Sequence, residues 1–349
     1  MRADPADGWE GAVMPSELGA AIEVRGLAKR FGDVQAVRQV DFSVSPGELF
    51  GFLGPNGAGK TTTINMLTGL ARPDAGSIVI DGIDCVRHPR AAQDIIGVVP
   101  DESNLYPELS GYDNLCFCAA LYGMGKAERR ERAGELLDAF GLTQAANRKF
   151  AGYSKGMKRK LTIAAGIIHR PRVLFLDEPT TGIDVASARH LRQLVADLHT
   201  GGTTVFLTTH YIEEAERLCD RIAFILAGSI VRVDTVANLV QPVLEKHVVR
   251  IACENGVSCG VGDGKKGIEA RLAAAFPDLR FSGAGQGGIR VEGDGPVRVG
   301  PLVRLLEDMG LEVSEARKIR PSLEDVFVSI TGIEADAMRG EKEKSGGPR

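Results

Sequence analysis

Gly54-Pro55-Asn56-Gly57-Ala58-Gly59-Lys60-Thr61 follows the apolar run Leu49-Phe50-Gly51-Phe52-Leu53 and precedes Thr62-Thr63-Ile64-Asn65-Met66-Leu67. A buried strand, a glycine-rich bend and a helix-compatible stretch, in that order, make G-x-x-x-x-G-K-[ST] a phosphate cradle. Gly54, Gly57 and Gly59 are expected to take positive φ and bring backbone N–H groups toward phosphate oxygens, while the helix after Gly59 adds its positive end. Lys60 then reaches the outer phosphates and the Thr61 hydroxyl holds a magnesium ion. The bland alternative is a glycine-rich turn with a chance lysine. The strand before it and the helix after it weigh against that.

The rest of the 349 residues is that of an ordinary globular chain, with 44% hydrophobic and 25% charged residues, long enough for two domains with full cores. A formal net charge of −4 gives no bulk attraction to nucleic acid. No run approaches the eighteen apolar residues a membrane span requires. The six cysteines form no C-x-x-C pair and no disulfide framework, so a reducing compartment is expected, with Cys116 and Cys118 read as helix core.

Residues 1–20 read as a loose extension without the basic start and apolar centre of a signal peptide. Alternation predicts strands over Ile22–Val24, Val40–Val44 and Leu49–Leu53, with turns at Phe31-Gly32-Asp33 and Ser45-Pro46-Gly47. Phe31 either stacks on a nucleotide base or packs into a core. Further strands are expected over Gly76–Ile80 and Ile95–Val99, then a helical block over Asn114–Tyr122, Glu128–Phe140 and Gly156–Ile168.

The parallel-strand pattern resumes at Val173-Leu174-Phe175-Leu176 and ends in Asp177-Glu178-Pro179. Doubly wound sheets present ligands at the carboxyl ends of their strands, so Asp177 is placed to hold magnesium and Glu178 to orient an attacking water. Alternatively, the two acids merely begin a solvated loop. The next strand, Thr203–Thr209, ends in His210, which reads either as a partner of the γ-phosphate or the water, or as a capping residue. Beyond Val231, strands are expected over His247–Ala252, Gly288–Val291 and Leu311–Ala316, and helices over Gly267–Phe276 and Val299–Met309. Glu254–Lys266 reads as a glycine-rich loop and Met338–Arg349 as a charged tail.

The ordered set Gly54–Thr61, Tyr153-Ser154-Lys155-Gly156-Met157, Leu176-Asp177-Glu178-Pro179-Thr180, Gly182-Ile183-Asp184 and His210 resembles the ATP-binding subunit of an ABC transporter over about residues 21–332. Tyr153–Leu161 and Pro321–Phe327 resemble the drug and polysaccharide exporter branch. The resemblance implies a P-loop NTPase core of RecA-like α/β type over 21–240, with an antiparallel β subdomain and a helical subdomain inserted at about 100–169. An accessory α+β domain over 241–332 and a flexible tail over 333–349 complete the chain.

Carried over by position, Phe31 matches the adenine-stacking aromatic, and Gly54, Pro55, Asn56, Gly57, Ala58, Gly59, Lys60, Thr61 and Thr62 match the Walker A loop. Asp177 matches the Walker B aspartate, Glu178 the water-positioning acid and His210 the switch histidine. Ser154, Lys155, Gly156 and Met157 match the signature that meets ATP bound to an opposite subunit, and Ser154 also reads as a plain helix cap. The resemblance implies ATP and Mg2+ as cofactors, with Thr61, Asp177 and Asp101 at the metal. It further implies a head-to-tail homodimer, a separate transmembrane permease and a peripheral place on the cytoplasmic membrane face; Leu105 and Tyr106 read equally as contacts to that permease or as apolar residues tucked inward. Nucleic acid is not an expected partner.

Phe31 stands where tyrosine is more usual, Lys155 and Met157 replace a glycine and a glutamine, and Ile183 replaces leucine. Asp101 stands where the family has glutamine, which adds a negative charge beside the triphosphate. The expected function is ATP hydrolysis that powers export of a drug-like, lipid or polysaccharide substrate. The alternatives are a soluble ABC-type ATPase acting on ribosomes or nucleic acid, and a regulatory nucleotide-binding module with little turnover.

Overall fold

The computed structural model describes residues 19–244, 247–253, 265–284, 288–319 and 322–332. The expectations for residues 1–18, for most of the glycine-rich loop (254–264), for Pro321 and for the tail (333–349) lie outside the described residues. The chain divides into two compact units, one formed mainly by the chain up to Val236, the other by Ala237–Ile330.

In the first unit, strands β1 (Ile22–Phe31) and β2 (Val34–Val44) extend well past the short pieces that alternation predicts. Phe31 closes β1 instead of occupying the turn, which is made by Gly32 at φ +55 and Asp33. Gly26, at φ +57, lies in the register shift between Val24 and Leu27 that bends β1, and this break hides the strand's length from a period-two pattern. Strand β3 (Leu49–Leu53) is buried at every position and runs through the glycine loop into helix α1 (Lys60–Leu67). Strands β4 (Ala75–Ile80) and β5 (Ile83–Asp84) are joined by Asp81 and Gly82 at φ +47 and +80, the double positive pair a two-residue hairpin requires. Helix α2 (Pro89–Gln93) and strand β6 (Ile96–Val99) follow.

Helices α3 (Gly111–Leu121), α4 (Lys126–Ala139) and α5 (Lys155–Gly166) form the expected helical block. Helix α3 starts three residues before the predicted Asn114 because Ser110 caps it, accepting from the Asp113 N–H at 3.0 Å and donating to the Asp113 carboxylate at 2.6 Å. Asn114 is fully buried and staples the preceding loop, accepting from the Tyr106 N–H at 2.8 Å and donating to its carbonyl at 3.0 Å. That staple separates two expected contact residues: Leu105 is tucked in at 7% exposure, whereas Tyr106 is 52% exposed. Cys116 and Cys118 are half-buried on α3 rather than core.

Strand β7 (Val173–Asp177), helix α6 (Val185–Thr200), strand β8 (Thr204–Thr209), helix α7 (Ile212–Leu218) and strands β9 (Arg221–Leu226) and β10 (Ser229–Thr235) complete the unit. One antiparallel sheet has the order β2-β1-β4-β5 and the other the order β10-β9-β3-β8-β7-β6, with β6 to β9 and β3 parallel and β10 antiparallel at the edge. Phe42 from the first sheet packs against Phe50, Phe52 and Phe206 of the second, and Phe175 joins Phe206, with ring centroids 5.5 to 5.8 Å apart. Burial of each such ring contributes roughly 1.5–3 kcal/mol. Phe50 and Phe52 share a face because side chains alternate along β3. This aromatic layer holds β3, and with it the glycine loop, in place.

The second unit opens with helix α8 (Val236–Leu244) and strand β11 (His247–Cys253). It continues with helix α9 (Lys265–Ala275), strands β12 (Leu279–Ala284) and β13 (Gly288–Gly293), helix α10 (Val299–Asp308), strand β14 (Val313–Ile319) and helix α11 (Leu323–Thr331). Its sheet order, β12-β13-β11-β14, is antiparallel throughout. From β11 to β14 the order strand-helix-strand-strand-helix-strand is that of a ferredoxin-like domain. Val249, Ile251, Ile289 and Val291 pack against Leu272, Leu302 and Leu306 in a core of its own.

Candidate functional site

The carboxyl ends of β3, β6, β7 and β8 lie side by side, so the glycine loop, Asp101, Asp177-Glu178 and His210 leave the sheet at one edge. There the chain forms a cavity of about 580 Å³, lined by Pro55, Asn56, Gly57 and Gly59 through Thr62 of the loop, by Asp101 and Glu178, and by residues of β2.

Gly57 and Gly59 have φ of +78 and +105, as expected for a bend that turns amides toward a ligand. Gly54 differs from expectation. It does not adopt positive φ; a Cβ there would lie 2.2 Å from the Ile225 carbonyl oxygen, so this glycine is set by the close approach of β9. A Cβ on Gly57 would meet nothing within 4 Å, which marks the open side of the cradle.

Lys60 is buried, with Nζ donating to the Gly54 carbonyl at 2.7 Å and the Pro55 carbonyl at 3.2 Å. The same ammonium lies 3.3 Å from Glu178 Oε1. The other oxygen, Glu178 Oε2, accepts from His210 Nδ1 at 2.6 Å and from Thr181 Oγ1 at 3.0 Å. Burial raises the Glu178 pKa, but the His210 hydrogen bond and the Lys60 charge outweigh it and leave the carboxyl below its ordinary value. Glu178 also has φ +49, a left-handed conformation that stores on the order of 1–3 kcal/mol in a non-glycine residue. Its N–H donates to the Thr208 carbonyl at 3.1 Å, which fixes that geometry. An ionised acid is thus held beside a phosphate loop in a buried, strained position.

Asp177 accepts from the Thr208 hydroxyl and is hydrogen-bonded to Thr61. Burial pushes its carboxyl up, with these bonds opposing the shift. Two supporting groups were given no role from the sequence: Thr208, on the strand that ends before His210, and Glu214 on α7. Buried Glu214 accepts from Thr180 at 2.8 Å and Thr209 at 3.4 Å, and its Oε1 has no hydrogen-bond partner among the described residues.

The remaining expected site residues do not line this cavity. Phe31 is 53% exposed at the end of β1, with Lys29 Nζ 5.2 Å from its ring centroid. Ser154 caps α5, accepting from the Met157 N–H at 3.3 Å, and Lys155, Gly156 and Met157 form its first turn. Gly156 has a reason within the chain to be glycine: a Cβ there would lie 2.4 Å from Ser187 Oγ on α6.

A family model described as ABC transporter matches residues 37–181. The daunorubicin/doxorubicin resistance ATP-binding protein DrrA of Streptomyces peucetius is 37% identical over 322 residues, covering 92% of this chain and 96% of that protein. The chain belongs to the ATP-binding subunits of ABC transporters. Within them it falls in the exporter branch, since the Nod factor export ATP-binding protein I of Rhizobium etli is also 37% identical, over 90% of this chain and 95% of that protein.

A solved ATP-binding subunit of an ABC transporter superposes with a TM-score of 0.59 at 30% identity, covering 64% of this chain and 92% of that one. A dimeric ATP-binding cassette in a post-hydrolysis state, bound to ADP and Pi, superposes at 0.57 with 28% identity, over 62% and 98%. As an ABC ATPase the chain binds adenine nucleotide and hydrolyses ATP in step with transport, and such subunits dimerise and pair with a permease. Among the described residues no helix is long and apolar enough to cross a membrane.

Proposed function

We propose that this subunit powers export of a drug-like, lipid or polysaccharide substrate through a separate permease, with Glu178 positioning the water that attacks ATP. The carrying observation is the placement of Glu178 between Lys60 and His210 at the rim of the glycine-loop cavity. Gly54 through Thr62 cradle the phosphates, Lys60 exchanges Glu178 for phosphate oxygens, and His210 holds the acid and senses the terminal phosphate. Phe31, exposed near the cavity-lining strand β2, stacks on adenine.

The oxygen set Thr61, Asp177 and Asp101 suits Mg2+, which prefers few protein ligands and keeps phosphate and water oxygens. Mg2+ would supply charge neutralisation of the phosphates there.

Ser154, Lys155, Gly156 and Met157 lie outside the cavity at the start of α5, which suits completion of a partner's site in a head-to-tail homodimer. Residues 21–240 serve as the ATPase domain, with 100–169 as its helical part, and 241–332 as an accessory domain. The protein works as a peripheral subunit on the cytoplasmic face of the membrane, and export fits the named roles of the resistance and Nod factor relatives.

Glu178→Gln keeps the hydrogen-bonding shape and removes the charge. The variant is expected to bind ATP within about threefold of wild type while kcat falls at least about a hundredfold. Turnover like that of the parent protein would refute the assignment.

A further inference from the structure

Arg159 lies five residues beyond Ser154 on α5 and is only 7% exposed. A buried guanidinium is tolerated where its planar donors are all satisfied. Here Nε donates to the Pro179 carbonyl at 2.8 Å, Nη2 to the Asp177 carbonyl at 2.6 Å, and Nη1 to the Asp101 carbonyl at 3.1 Å as well as to that of Pro100. Two acceptors flank Glu178 after β7, and two belong to the segment that follows β6. One side chain on α5 thereby grips the backbone of both segments from which Asp101 and Asp177-Glu178 project.

We infer that Arg159 is a positioning residue for hydrolysis: by bonding main-chain carbonyls at the exits of β6 and β7, it makes the placement of Asp101, Asp177 and Glu178 follow the placement of α5. This rests on the reading of Glu178 given above. The four contacts are to carbonyls, so they set where the acids' backbone lies without drawing on the carboxylates themselves. Asp101, Asp177, Glu178 and Glu214 also surround the guanidinium with negative charge, which opposes the penalty of its burial. A lysine in its place keeps a cation but radiates three N–H groups from one point, and cannot span four carbonyls in a plane.

The test is Arg159→Lys in the full chain, with Arg159→Gln, which keeps two donors and no charge, as a second variant should the lysine protein not fold. Either variant is expected to lower kcat about 10–100-fold while KM for ATP stays within about twofold, because the defect lies in alignment and not in nucleotide grip. Amide hydrogen exchange should quicken at residues 100–103 and 177–181 and stay unchanged in β3 and β8. Parental kcat in a folded variant, equal changes in kcat and KM, or an exchange increase spread over the whole unit would each overturn the inference. Wild-type turnover that is stalled by Glu178→Gln keeps the functional reading in force whichever way the Arg159 variants fall.

Discussion

Glu214 is an acid held away from water, with one oxygen bonded to Thr180 and Thr209 and the other without a partner among the described residues. Burial raises its pKa above the ordinary 4.5, and the Thr180 bond and the Arg192 charge offset only part of that. A raised folded pKa means that the native state holds its proton longer than the unfolded chain does. Its stabilising share is therefore complete below 4.5 and is lost as pH climbs through the raised value. Glu214→Gln imitates the protonated acid at every pH. Its melting temperature is expected to gain on wild type as pH is raised from 4.5 toward neutrality, and a difference that stays flat across that range would contradict the account. At this scale the sequence announced the loop, the acid pair and the histidine through their order. It could not announce why Gly54 is glycine, because the carbonyl that forbids a side chain there belongs to Ile225, far along the chain. Nor could it show that, of the threonines on β8, Thr208 is the one that points its hydroxyl at Asp177.

Helices α3, α5 and α6 begin where a side chain satisfies a free N–H, and the apolar stripe starts later. Ser110 and Asp184 cap α3 and α6 at 3.0 and 2.9 Å, as Ser154 caps α5 at 3.3 Å. Apolar spacing alone therefore places the start of α3 late, and α6, with Leu191, Val195 and Leu198 on its buried face, starts only after the turn that separates it from the acid pair. The three serine and aspartate caps are alike in structure but not in the proposed role. Ser110→Ala is expected to lower stability by about 1 kcal/mol with ATPase activity per folded molecule unchanged, whereas Ser154→Ala should lower stability by a similar amount and cut turnover as well. Chemical denaturation alongside steady-state ATPase assays separates the two effects, and equal activity in both variants would remove Ser154 from the proposed site. Strand β1 was half legible for a related reason: the bend at Gly26 shifts its register and breaks the alternation that marks a strand.

The division of the whole chain into two units follows from two separate cores. Phe42, Phe50, Phe52, Phe175 and Phe206 belong to one, and Val249, Ile251, Ile289, Val291, Leu302 and Leu306 to the other. A fragment of residues 237–332 is accordingly expected to fold alone, with one cooperative thermal transition and native-like circular dichroism; a fragment that melts without a transition would show that its core is incomplete. The second unit is legible as alternating strands and helices, but β12, Leu279-Arg280-Phe281-Ser282-Gly283-Ala284, is recognised only by its pairing with β13.

Lys60 already rests against Glu178 and two loop carbonyls. Any anion that approaches must outcompete an internal carboxylate for a single ammonium, and a singly charged solute offers that ammonium no better companion than it has. A linked row of phosphates does, since it brings several charges and also engages the amides of the bend. On the proposed reading this contact filters on charge density, and the exchange that admits a polyphosphate unties Glu178 from the lysine.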